Sequence, residues 1–226
     1  DKLLAFPGAS DKGIFTYVID TEHKHLIKTA AEYHPTIASY IANAKKIPGK
    51  TQILLTALGA GEWWGCNANG DFFPEAALAH EGSDYGYKTF QTNAKIYKHH
   101  VNKNPEAAYG DVSLSVYNPN YHRVELIVLL DNAKAPDIAE RINSGDYPEW
   151  SMGTKVPYDV CSICGNKAPT RKQYCDHLRY YMGRIDPVTG RLAYAINLAP
   201  NFFDISQVLI GADKIAKTLK KVASLN

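Results

Sequence analysis

The longest unbroken aliphatic run in the chain is Leu126-Ile127-Val128-Leu129-Leu130. A helix needs about 20 apolar residues to cross a bilayer, so this run is no transmembrane segment. With His122 to Glu125 in front of it, it reads as one arm of a β-hairpin. The other arm is Asp111 to Tyr117, where Val112, Leu114 and Val116 alternate with Ser113, Ser115 and Tyr117. That alternation predicts a strand with one buried face. Asn118-Pro119-Asn120 supplies the turn between the arms.

Further strands are expected at Ile14 to Ile19, Gln52 to Leu58, Glu149 to Val156, Leu192 to Leu198 and Phe202 to Ile210. A helix is expected from Thr21, a plausible N-cap, to Ala44, with Pro35 kinking or splitting it. Another runs from Ala135 to Ser144, stopped by Gly145. Ala212 to Leu225 reads as a Lys-rich amphipathic helix, and Gly59 to Pro74 as a loop dense in turn residues. No internal repeat or low-complexity tract is visible. About seven short strands joined by turns and short helices, without regular βαβ crossovers, predict an α+β fold: an antiparallel β-barrel or sandwich with helices packed outside.

The chain has 226 residues, enough for one domain with elaborations or at most two. A chain of this length buries roughly 70% of its unfolded surface, so it needs no disulfide scaffold. The net charge of +2 argues against a dominant binder of phosphate backbones. No apolar signal-peptide core follows Asp1. Of four cysteines, Cys66 stands alone and three cluster in the pattern Cys161-x2-Cys164-x10-Cys175-x-His177. An N/S donor set of this kind suits a four-coordinate structural zinc with no open position for chemistry. His177 is the least regular ligand, because Cys-x-His is tighter than the usual spacing. Three reduced thiols in a loop, or a redox dithiol, are the competing readings. Asn67, Asn69 and Asp71 alternate oxygen side chains as part of a calcium loop would, but the distal Glu of that motif is missing. Asx-turn chemistry is the expected reading.

Three further segments carry candidate chemistry: His99-His100-Val101-Asn102 ahead of Gly110-Asp111-Val112, Ser151-Met152-Gly153, and Phe203-Asp204-Ile205-Ser206-Gln207-Val208. Each is weak alone. Their order, with a hairpin and a short helix between the first two, resembles the phage prohead (capsid maturation) proteases, which share the herpesvirus assemblin fold. The similarity spans roughly Asn67 to Ala216, with Asn69-Gly70-Asp71 resembling the family's upstream segment. It is nearest to the large-tailed-phage variety that carries a Cys-x-x-Cys insertion after Ser-Met-Gly. The resemblance implies a single protease domain over residues 1–226, with a small zinc-binding insertion at about 158–180.

The resemblance also assigns Ser151 as nucleophile, His100 as general base and Asp204 as the third member. The residue types agree with the chemistry. A serine hydroxyl needs a base within hydrogen-bond reach, imidazole can take that proton near neutral pH, and a carboxylate on its other nitrogen fixes the tautomer. The three are far apart in the chain, so the fold must bring them together. His99 competes with His100, and only one of two adjacent strand residues can face Ser151. His100 is preferred because the family's His stands two residues before an Asn/Asp-rich turn, here Asn102; His122 and His177 are lesser rivals. No Gly-x-Ser-x-Gly elbow surrounds Ser151, which argues against a lipase-like esterase. For the oxyanion, the resemblance points to Gly211, at the offset of a loop-opening Gly in the herpesvirus branch, and Gly153 and backbone N–H groups near Ala212 are the other candidates. Gly153 also has a lesser reading, that it permits close approach of backbone.

The implied substrates are phage scaffold or core proteins and the major capsid protein inside an immature head, assembled in the host cytoplasm. Self-cleavage is implied too, and would account for an N-terminus without Met. A homo-oligomer is an option from the herpesvirus relatives; no membrane and no specific nucleic acid are expected. The rivals are a non-enzymatic capsid or scaffold component that keeps the fold, and a zinc-stabilised nucleic-acid-binding module.

Overall fold

The structure, a computed structural model, describes residues 33–224. The strand expected at Ile14 to Ile19 and the first part of the helix expected from Thr21 lie outside the described residues. Helix α1 (Pro35–Asn43) begins at the proline. In the first turn its missing N–H has no intrahelical partner to lose, and His34 caps the helix by accepting from the Thr36 N–H at 3.2 Å. Pro35, expected to kink or split a longer helix, stands at the start of the described one.

Strand β1 (Lys50–Gly59) leads through a short helix α2 (Gly61–Trp64) to β2 (Asp71–Phe72) and a second short helix α3 (Glu75–Leu78). Helix α4 (Lys88–Asn93) and strand β3 (Lys95–Lys98) precede the hairpin β4 (Gly110–Asn118) and β5 (Arg123–Asp131). Helix α5 (Pro136–Asn143) then feeds β6 (Glu149–Lys155). The cysteine-bearing excursion holds β7 (Asp159–Cys161), β8 (Lys167–Ala168) and α6 (Asp176–Tyr181). The pair β9 (Arg184–Ile185) and β10 (Leu192–Ala193), the short β11 (Ala195–Ile196), β12 (Asn201–Val208) and β13 (Thr218–Ser224) complete the chain.

Seven strands form one strongly curled sheet in the order β13-β1-β5-β4-β3-β12-β6. The α+β class and the strand number agree with expectation, but the sheet is a mixed half-barrel rather than a closed antiparallel barrel. Strand β3 runs parallel to β12, from Lys95 opposite Asp204 to Lys98 opposite Gln207. The two edges approach at one corner only, through a bridge between Glu149 and Lys217 and a 3.0 Å bond from the Trp150 N–H to the Ala216 carbonyl. A second sheet, β2-β11-β7-β8, stands beside it.

The aliphatic run is unbroken because β5 is covered on both faces. Leu126, Val128 and Leu130 join the inner core with Ile53, Phe90, Trp150 and Phe202, while Ile127 packs outside with Leu54, Val116 and Ile37 of α1. The single buried face expected for Val112, Leu114 and Val116 is not what forms. The register of β4 against β5 shifts between Val112 and Leu114, so Val112 enters the inner core while Val116 and Leu114 pack under α1.

The helix expected at Ala212 to Leu225 is likewise corrected: its second half is β13, paired antiparallel with β1. Ala- and Lys-rich spacing suits a helix locally, but the open edge of β1 offers backbone hydrogen bonds that helix propensity does not outweigh. The strand expected at Leu192 to Leu198 splits into β10 and β11, which serve different sheets. The strand expected at Phe202 to Ile210 stops at Val208, leaving Leu209 and Ile210 exposed.

Candidate active site

Strands β12 and β6 pair antiparallel, with Asp204 opposite Gly153 and Ser206 opposite Ser151. Residues two apart in a strand share a face, so Ser151, Gly153, Asp204 and Ser206 all project from one side of the sheet. Their neighbours Trp150 and Ile205 go into the inner core, with Met152 packed against it. A register shift between Phe202 and Asp204 sets this alternation. Asp204 is thus turned away from the core, yet it is fully buried. Gly153 explains part of that: a Cβ there would lie 2.9 Å from the Asp204 Cβ and 3.2 Å from its Oδ2. The close approach that Gly153 permits is therefore that of the Asp204 side chain.

The rest of the cover comes from the turn after β3. His99 and His100 have φ of 49° and 56°, and the Val101 N–H bonds back to the Lys98 carbonyl at 3.1 Å. Positive φ at both central positions makes this a type I′-like turn, normally built from Gly or Asn. Strain of this kind, about 1–3 kcal/mol per residue, persists only where the surroundings impose it. Here they do. The His99 N–H bonds to the Gln207 carbonyl at 2.9 Å, and the His100 N–H to Ser206 Oγ at 3.2 Å. The turn delivers the His100 ring to Asp204, with Nδ1 2.8 Å from Oδ2.

Asp204 then has three side-chain donors: His100 Nδ1, Asn102 Nδ2 at 2.5 Å and the Ser206 hydroxyl at 2.7 Å. With Nδ1 donating to the carboxylate, the imidazole leaves Nε2 as an acceptor. The His100 side chain is 40% exposed, so the ring is reached by solvent. Ser151 forms no side-chain hydrogen bond among the described residues, and no bond joins it to His100 in this structure; such contacts often tighten only with substrate bound.

The structure therefore brings His100 and Asp204 into contact, with Ser151 on the same face two residues along the ladder from Gly153. Among the described residues, no hydrogen bond joins His99 to Asp204. His122 lies elsewhere: its Nδ1 is 2.8 Å from Glu75 Oε1, and its ring stacks on Trp63 at 3.6 Å.

Sequence reasoning missed Ser206 and Asn102 as partners of Asp204. Ser206 was findable, since it stands two residues from Asp204 on one strand. Asn102 had no such signal, because only the left-handed turn carries it there.

Ser151 borders a cleft of about 230 Å³. Met152 and Thr154 of β6, Ala212 and Asp213 of the loop after β12, and Asp71, Asp159 and Tyr174 from the region of the second sheet line it, with Arg171 beside them. Burial, then the nearby Asp159 charge, pushes the Asp71 carboxyl above its ordinary range. Burial pushes Asp213 up to about 6, although its carboxylate accepts the N–H groups of Gly59 and Ile215. Of the oxyanion candidates, Gly211 is spoken for: its N–H donates to Glu149 Oε2 at 2.7 Å, and a Cβ there would strike the Trp150 carbonyl. Ala212 lines the cleft. Asn67 Oδ1 accepts from the N–H groups of Asn69 and Asp71 at 2.9 and 3.0 Å, which is Asx-turn geometry.

Cys161, Cys164, Cys175 and His177 converge, each offering a ligand atom within 4.8 Å of the others. Cys164 Sγ lies 3.5 Å from Cys175 Sγ, and His177 Nδ1 lies 3.9 and 3.8 Å from the sulfurs of Cys161 and Cys175. A tetrahedron with metal–sulfur bonds of about 2.3 Å has edges near 3.8 Å, so the four could hold a metal ion with little movement. The knuckle is pre-shaped: the Gly165 N–H bonds to the Cys161 carbonyl, Gly165 takes φ +72°, and the Ile163 N–H points at Cys161 Sγ. Cys175 and His177 sit at the start of α6. The buried core of this region is Cys161, Ala168, Tyr174, Leu178 and Ala195. Burial yields about 1.5–3 kcal/mol per large apolar side chain, against about 1–2 kcal/mol to order each residue, so so small a core needs a further staple.

Compared with known proteins, the chain matches no family model, no curated protein and no solved structure.

Proposed function

We propose that the protein is a serine endopeptidase of the prohead-protease kind, with Ser151 as nucleophile, His100 as general base and Asp204 as orienting carboxylate. The observation that carries this reading is the His100–Asp204 contact, supported by two further donors to Asp204 and sharing a sheet face with Ser151 beside a cleft. A carboxylate with three donors inside the protein is built to hold one imidazole in one tautomer.

In the proposed reaction, Ser151 Oγ attacks the scissile carbonyl while its proton passes to His100 Nε2. That proton then goes to the leaving amine, and water, deprotonated by the same nitrogen, releases the acyl group. Asp204 stays ionised and stabilises the imidazolium. The backbone N–H of Ala212 is the proposed oxyanion donor, since it belongs to the cleft while the Gly211 N–H is engaged. The order of motifs along the chain, shared with prohead proteases, points to scaffold, core and capsid proteins as substrates. The curled seven-stranded sheet is read as a variant of the assemblin-like barrel.

The metal is proposed to be zinc. Three thiolates and an imidazole are its usual structural donor set, with no position left for substrate. It would supply stapling and take no part in the chemistry at Ser151.

Intact-mass spectrometry after treatment with a small fluorophosphonate tests the reading. One adduct on the wild type and none on Ser151→Ala is the expected result. An adduct of equal yield on the variant, or none on the folded wild type, overturns the triad.

A further inference from the structure

Two of the residues that line the cleft with Ser151 stand between the candidate metal ligands. Arg171 and Tyr174 lie in the stretch that joins Cys164 to Cys175, and Tyr174 is adjacent to Cys175. Tyr174 links the two regions physically. Its side chain packs in the small core with Cys161 and Leu178, and its hydroxyl donates to Asp159 Oδ2 at 2.5 Å, across the cleft wall. Its carbonyl accepts from Arg179 of α6 at 3.0 Å. The rest of the stretch is lightly held: Arg171, Lys172 and Gln173 are exposed, and beyond the turn's own backbone bonds, from the Gln173 N–H to Thr170 and the Tyr174 N–H to Arg171, it is tied by the 3.1 Å contacts of Gln173 with Asn166 and Thr170. Among the described residues, no hydrogen bond runs from any of the four ligand residues to Ser151, His100 or Asp204.

We infer that the Cys161–Cys164–Cys175–His177 cluster controls peptide binding and not the reactivity of Ser151: a metal ion there fixes Tyr174 and Arg171 as the wall against which an extended substrate lies. The inference rests on the protease reading above. It makes Tyr174 a positioning residue that acts through Asp159, and it divides the protein into a triad face carried by the large sheet and a substrate wall carried by the metal-stapled sheet. Loss of metal should leave the first intact and release the second.

The test compares two probes on the whole protein. One is a small dialkyl fluorophosphonate, which needs only the triad. The other is a mixed-sequence library of peptidyl phosphonates, which must also occupy the cleft. Labelling rates are read by intact mass, and metal content by elemental analysis. With zinc bound, the peptidyl probes should react faster than the small one. Chelation should lower the peptidyl rate at least tenfold and leave the small-probe rate within twofold, and added zinc should restore it. Tyr174→Phe, measured with zinc bound and metal content unchanged, should lower the peptidyl rate severalfold while sparing the small probe. Equal peptidyl rates with and without metal overturn the inference, as does a zinc-loaded protein that shows no preference for peptidyl probes. Loss of both labels on chelation also overturns it, because the metal would then serve the triad or the fold as a whole. Failure of the small probe on zinc-loaded protein is a different result, since it removes the protease reading itself.

Discussion

Two histidines in this protein hold a carboxylate at the same distance. His100 Nδ1 lies 2.8 Å from Asp204, and His122 Nδ1 lies 2.8 Å from Glu75. Both have positive φ, 56° and 51°. Their surroundings differ. The His122 ring is stacked on Trp63, and Glu75 also accepts from Tyr117 and from the Trp63 indole, so every member of that cluster is engaged in packing a corner between α3 and the hairpin. The His100 ring is held by Asp204 with its side chain 40% exposed, and Asp204 shares a sheet face with a serine that has no side-chain hydrogen bond among the described residues. A histidine–carboxylate pair is therefore no signature of catalysis by itself. What distinguishes the two is that company, together with the cleft that Ser151 borders.

Substitutions can break that contrast. Ser151→Ala should abolish peptide hydrolysis, by a factor on the order of 10⁶, with an unchanged melting temperature. Asp204→Asn should cost about 10⁴ in turnover, because the amide favours the wrong tautomer of His100; a loss no larger than that of a surface change would return Asp204 to a structural role. Gly153→Ala puts a methyl against the Asp204 side chain, and displacement of the carboxylate should lower turnover by about 10²-fold while fluorophosphonate labelling slows in parallel.

On the other side of the comparison, His122→Ala should leave turnover within a few-fold. It should destabilise the fold by about 1–3 kcal/mol, from the lost stack and the unpaired Glu75, read by denaturant titration. Activity lost with His122 instead of His100 would reverse the assignment. The smallest expected effect is a pH dependence. Burial alone would raise Glu75, but hydrogen bonds from His122, Tyr117 and Trp63 outweigh it and hold its carboxyl below the ordinary value. A depressed acid contributes stability that is present above the unfolded-state value, near 4.3, and is lost as pH falls through the folded one. The wild type should therefore lose stability below about pH 4 more steeply than Glu75→Gln does.

Much of the molecule was legible from local pattern. The hairpin, α5, β6 and the Cys/His cluster follow from period-2 alternation, turn residues and cysteine spacing, all of which act within a few residues. The C-terminal strand was not legible, since the spacing of its lysines and apolar residues suits a helix until the vacant edge of β1 is in place. The reversal of faces in β4 was hidden as well, because the shift between Val112 and Leu114 is imposed by pairing with β5.

The same division runs through the candidate site. Local sequence shows which residue types are available: a Ser-Met-Gly strand, paired histidines before a turn, an acid in an apolar strand and a Cys/His group in one excursion. Which histidine meets the acid is a matter of long-range pairing. That choice depends on the parallel pairing of β3 with β12, strands about a hundred residues apart in the chain, and on the left-handed turn that this pairing supports. Side-chain direction is set by local backbone geometry. The partner it finds is set by which distant strand buries the other face, and no window of the sequence contains both.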